Sequence, residues 1–237
     1  MTEPPSQKEL EAAKRSQGAR RTLRRSVFPG LLALGWMVYL LLAAGKTFFV
    51  TRPIFADAAY FEAAMREMLL IVAVGLTILW PLVRLSQRHA RPTTLLLLDA
   101  VVLLALAQIV IWPLLGQTHW PALMLFQVDA LLAAWTLLAG GLVALGICFR
   151  AVWWRSLMVL LCAAAIFAAP VGLALGIPAD PPPWFDFASP LAAIWRLEAS
   201  ETTWPGYVLE LAGAVACGGT VLIAIGAVAR SHRGLGS

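Results

Sequence analysis

Apolar residues run along this chain in long unbroken blocks, not in the alternation of a strand or the single stripe of a surface helix. Six blocks stand out, at 27–50, 68–83, 94–115, 122–149, 157–176 and 207–228. A helix needs roughly 20 apolar residues to cross the hydrocarbon region of a bilayer, so each block reads as a span. Continuous runs favour helices over a barrel, whose strands would alternate apolar and polar positions. The block at 68–83 is short, and 61–67 is expected to precede it as an interfacial turn. The pattern predicts an all-α polytopic membrane protein, a bundle of about six transmembrane helices.

Composition strengthens this reading. The 237 residues are 60% hydrophobic and 13% charged, with a mean hydropathy of +0.80. A soluble domain is about 45–50% apolar and about 25% charged, because its surface needs polar cover. Lipid removes that need.

Charge sets the orientation. Of the 18 Lys and Arg residues, seven precede the first block, three lie between the second and third, two between the fourth and fifth, and two after the sixth. These 14 fall on one side if the spans alternate, and only Lys46, Arg52, Arg66 and Arg196 fall on the other. Basic residues mark the cytoplasmic face, so both the N- and C-termini are expected there, which requires an even number of spans. The chain then divides into a basic segment at 1–26, a membrane domain at 27–230 with a long outer loop at 177–206, and a cytoplasmic tail at 231–237. Segment 1–26 reads either as a solvated tail or as an interfacial helix, with Ser6 as its N-cap ahead of Glu9. Its length and the long apolar block after it argue against a cleavable signal peptide. The net charge of +5 fits this topology and attraction to anionic lipid heads. The chain leaves no room for a folded basic surface, so no nucleic-acid partner is expected. The expected location is the cell inner (plasma) membrane, multi-pass.

Candidate chemistry is sparse. Cys148, Cys162 and Cys217 lie in or beside apolar blocks, and no C-x-x-C pair exists. His89, His119 and His232 all fall outside the spans, where a helical bundle would not place heme ligands. Neither a P-loop nor a G-x-S-x-G or H-E-x-x-H pattern is present. No metal, no cofactor and no catalytic role are expected.

What remains are polar groups at depth. Asp129 is the deepest acid, with Gln127 nearby; Gln108 is mid-span, Asp99 is within reach of Arg91, and Glu210 is near the outer end of the last span. An ionisable group at depth costs about 2.5–3.5 kcal/mol on insertion scales, so it faces the bundle interior or water. Each reads either as part of a substrate path or proton relay, or as an interhelical hydrogen bond that fixes packing.

The outer loop is rich in proline and in aromatic residues, Trp184, Phe185, Phe187, Trp195 and Trp204 among them. Aromatic side chains of this kind settle at the lipid–water boundary. Within the loop, SPLAAIWRL at 189–197 is apolar but far too short to span. Ser189 reads as an N-cap and Pro190 as the first helical residue. Leu191, Ile194 and Trp195 would share one face of a short re-entrant or interfacial helix, with Arg196 turned to water or lipid phosphate and Glu198 beside it. The alternative is an anchored loop with an aromatic belt.

This layout resembles the membrane subunits of ABC transporters of the type-2 exporter class. The resemblance is carried by the basic segment at 7–26, by GLVALGICFRAVWWRSLMVLL at 141–161, and by WFDFASPLAAIWRL at 184–197. That family has six spans, cytoplasmic ends, a basic interfacial N-terminal helix and short re-entrant helices before the last span. It also places a coupling helix for the ATPase between spans two and three, where 84–93 here is barely long enough for a turn. The resemblance implies a permease subunit that exports a lipid-like or amphipathic substrate with a separate ATPase subunit. The other reading is a non-catalytic anchor or scaffold subunit of a larger membrane complex. Either way the partners are the bilayer and other protein subunits.

Overall fold

The computed structural model describes residues 29–46, 58–87, 92–115, 120–149, 152–176, 185, 187, 189–196 and 206–234. The segment at 1–26 and, in the outer loop, Trp184 with the other residues at 177–183, 186, 188 and 197–205 lie outside them. The elements in chain order are α1 (Pro29–Ala44), α2 (Ala58–Val74), a π-helical stretch (Gly75–Leu79), α3 (Trp80–Ser86), α4 (Pro92–Leu115), α5 (Ala122–Cys148), α6 (Val152–Ala174), α7 (Pro190–Trp195) and α8 (Tyr207–Gly234). No strand occurs among the described residues. In lipid this is expected, because a helix satisfies its own backbone hydrogen bonds where no water can.

Among the described residues, five helical segments are long and apolar enough to cross a membrane: Tyr60–Ser86, Thr94–Pro113, Ala122–Cys148, Trp153–Ala174 and Tyr207–Ala229. The protein is therefore an all-α, multi-pass membrane protein. In the first predicted span, 27–50, the described apolar helix falls short of that length. The α1 helix has 16 residues, about 24 Å at 1.5 Å per residue.

Several boundaries differ from those read off the apolar blocks. Residues 61–67 are not an interfacial turn: they belong to α2, which begins at Ala58. Glu62, Arg66 and Glu67 ended the apolar block too early, yet each can lie on the helix near the end that the basic residues predict to be outer. Glu67 there meets Lys46 at 2.8 Å, with both side chains well exposed. At the inner end the same helix runs through Ser86, so Arg84 is helical. The α6 helix begins at Val152, five residues before the predicted block, and α8 runs to Gly234.

The α2–α3 rod and α5 form the centre. More than half of each is buried, against less than a quarter of α6 and of α8. Met65, Met68, Leu69, Val72 and Leu76 on the rod are almost wholly enclosed. The rod is not a uniform α-helix. In the π stretch the Trp80 backbone N–H donates to the Gly75 carbonyl, five residues back, and Pro81 follows immediately. A proline ring collides with the carbonyl four residues before it and offers no N–H, so a locally wider turn accommodates Pro81. Thr77 in this stretch donates to the Ala73 carbonyl. On the outside of the stretch α1 comes close. Trp36 and Tyr39, stacked at 5.3 Å between ring centroids, lie on Gly75, where an added Cβ would fall 2.4 Å from the Trp36 ring. The Trp36 indole donates to Leu103 O on α4 at 2.9 Å, and Tyr39 donates to Ile71 O at 2.9 Å.

The most extensive helix–helix contact joins α5 and α8. Its basis is small residues. A Cβ on Gly219 would lie 2.5 Å from the Leu137 backbone, and one on Gly141 would lie 2.7 Å from the Gly219 carbonyl. Cys148 closes the inner end by donating to Gly226 O at 2.9 Å. Between helices in lipid, attraction comes mainly from van der Waals contact, which glycine enlarges by letting backbones approach.

Candidate functional site

Three places concentrate chemistry. The first lies at the end of the bundle that basic residues mark as cytoplasmic. Arg84 on α3 grips Asp99 on α4: Nε donates to Oδ2, and Nη2 donates to Oδ1 at 2.6 Å. Trp80 adds a long bond to Oδ2 at 3.4 Å. Arg84 Nη1 also donates to Gln87 Oε1 at 3.0 Å. Arg155 on α6 reaches the Leu85 carbonyl at 3.3 Å, so α3, α4 and α6 are tied at one level. Asp99 thus pairs with Arg84; the expected partner, Arg91, lies outside the described residues. Arg84 escaped notice because the apolar block stops at Val83, which put it in the loop.

The second place is in the outer half. Gln108 Nε2 on α4 donates to Asp129 Oδ1 on α5 at 2.9 Å. A simple signal in the sequence could have found this pair. Gln108 lies seven residues before the end of α4 at Leu115, and Asp129 lies seven residues after the start of α5 at Ala122. Antiparallel neighbours joined by a short link bring such positions to one depth, here about 10 Å below the helix ends. Gln127 does not join them. It is buried, but two residues along a helix point to nearly opposite sides. Glu210 is exposed in the first turn of α8, where a negative charge suits the helix N-terminus.

The third place is the short helix of the outer loop. Ser189 caps α7, its Oγ accepting from Ala192 N at 3.1 Å, and Pro190 takes the first helical position. The segment is not a surface ornament. It is wedged against α2, α6 and α5, with Ser189, Pro190, Ala192, Ala193 and Ile194 buried. The expected shared face of Leu191, Ile194 and Trp195 is corrected by this burial. Ile194 is enclosed, Leu191 is half-buried, and Trp195 is 65% exposed. The helix sinks into the bundle instead of floating on it: its alanines and Ile194 face inward, and Trp195 faces out.

Beside α7 opens an apolar cleft of about 700 Å³. Leu70 of α2, Phe167 and Pro170 of α6, and Leu191 and Trp195 of α7 line it, with Arg196 the one charged residue among the described ones in its wall. Leu70 is one turn deeper than Glu67, so the cleft lies just below the outer surface. Pro170 stands inside α6 and takes one backbone donor out of that helix. Phe167 and Trp195 are exposed at the margin, so the cleft faces the surrounding lipid. Sequence reasoning named the α7 side of this site but missed Leu70, Phe167 and Pro170, which only packing brings together.

Among the described residues no group of three or more His, Cys, Asp or Glu could hold a metal ion. No family model, curated protein or solved structure matches the chain.

Proposed function

We propose that this chain is the membrane-spanning permease subunit of a multi-subunit ABC-type exporter of the inner (plasma) membrane, moving a lipid-like or amphipathic substrate with a separate ATPase subunit. The observation that carries this reading is the cleft beside α7. It is apolar, opens to lipid near the outer surface, and is bounded by a short helix set between the last two long ones. A water-soluble substrate would need polar groups along its route. The charged side chains described at depth are engaged, Arg84 with Asp99 and Asp129 with Gln108. An amphipathic substrate needs no such route, because its apolar part stays in the bilayer.

A second reading, a non-catalytic anchor or scaffold subunit, is favoured by one specific observation. The α3 helix ends at Ser86 and α4 starts at Pro92, a link of five residues that gives an ATPase little to hold. Purification of the native protein in mild detergent, followed by identification of co-eluting subunits, tests both. A nucleotide-binding subunit whose ATPase rate rises with added lipid supports the permease. Redox or other enzymatic subunits without a nucleotide-binding one would replace it with the scaffold.

A further inference from the structure

We infer that the cleft beside α7 is a binding site for one acyl chain of an anionic glycerophospholipid, whose phosphate is held at the mouth by Arg196. The inference deepens the permease reading and rests on it for the purpose of binding; binding itself is measured on this chain alone.

The shape argues for a chain. A volume of about 700 Å³ lies within the roughly 300–1,000 Å³ of ordinary ligand sites. Apart from Trp195 and Arg196, the described walls are Leu, Phe, Pro and Ala side chains, which offer water no hydrogen-bond partners, and water needs two or more of them to be held. The medium that touches the open side is lipid, since Phe167, Leu173 and Trp195 are exposed there. An acyl chain from that medium fills the cleft at no cost in polar desolvation.

The mouth argues for the headgroup. Arg196 follows α7 directly and is exposed. A guanidinium carries five N–H donors in a planar fork that matches phosphate oxygens, so a contact to one neighbour leaves donors for a lipid. Trp195 beside it is 65% exposed, and an exposed indole marks the level at which headgroups begin. The chain site and the charge are therefore set one above the other, as in a phospholipid. Among the described residues of the wall the one charge is positive, so an anionic headgroup gains over a zwitterionic one of the same chains.

The test uses the purified full chain in detergent and native mass spectrometry. Palmitoyl-oleoyl phosphatidylglycerol and phosphatidylcholine with the same chains are offered together. The wild type should retain the phosphatidylglycerol in roughly fivefold preference, the worth of one basic residue near a headgroup. Arg196→Gln should bring that ratio near one while chain binding persists. Ala174→Trp, at an exposed position on the cleft wall, should lower retention of both lipids about tenfold by taking the place of several methylenes. Equal retention by the wild type, or an anionic preference that survives Arg196→Gln, would overturn the inference. A second readout needs no cleft-filling variant. Phosphatidylglycerol brominated along its chain should quench the fluorescence of Trp195, read as the difference between wild type and Trp195→Phe. No difference would equally overturn it. If lipid is bound as stated and no nucleotide-binding subunit co-purifies, the cleft site stands and the permease reading falls.

Discussion

Arg84 holds Asp99 through two sides of its guanidinium fork at a place where neither side chain is more than 3% exposed. Two opposite charges at this burial stabilise only as a pair. Removing one leaves the other uncompensated, which in buried pairs costs about 3–5 kcal/mol.

Arg84→Ala and Asp99→Ala should each lower the melting temperature of the detergent-purified protein sharply. The double replacement Arg84→Met with Asp99→Leu should recover most of the loss, because apolar isosteres of a buried pair are often neutral or better. A double variant as unstable as the singles would show that the pair does more than compensate itself.

Gly219 and Gly141 let α5 and α8 touch backbone to backbone. Gly219→Leu should push the helices apart and cost on the order of 1–3 kcal/mol, whereas Gly213→Leu on the same helix, which meets open space, should melt like the wild type. Equal melting of the two variants would remove the seam as the reason these helices pair.

Asp129 is hydrogen-bonded from Gln108 across two helices. If the bond only packs, Asp129→Asn keeps an acceptor in place and should change stability by less than about 0.6 kcal/mol, the average for such bonds between membrane helices. Activity of the assembled complex decides the role: full activity in the Asn variant assigns packing, and loss of activity with normal assembly assigns a relay.

Single cysteines test the orientation. Those introduced at 88–91 should resist an impermeant thiol reagent added outside intact cells, and those at 181–183 should react. The reverse pattern would overturn the direction read from the basic residues.

The fold class was legible in the sequence because lipid punishes polar residues along a whole helix, which leaves blocks that need no partner to be seen. Helix ends were less legible. Arg84, Arg66 and Glu67 are charged yet helical: Glu67 reaches Lys46 near the surface, and Arg84 is paired with Asp99 inside the bundle. The site was half legible. Ser189 with Pro190 announces its cap through local chemistry, and Gln108 with Asp129 was implied by equal distance from one turn. Leu70, Phe167 and Pro170 carry no local mark: only the packing of α2, α6 and α7 gives them a common cleft.

The π stretch at Gly75–Leu79 acts as a phase shift within one rod. Every residue of an α-helix advances about 100° around the axis, so one extra residue in a turn rotates all that follows by that angle. The outer part of the rod therefore presents Leu70 to the cleft on one bearing, and the inner part presents Arg84 to Asp99 on a bearing reset by the insertion. Closing that turn to an even α pitch with every residue kept would swing Arg84 by about 100°, whereas deleting one residue at 75–79 as the turn closes would leave Arg84 on its present bearing. The two ends of the rod are thus tuned separately, and the setting between them is written in one turn.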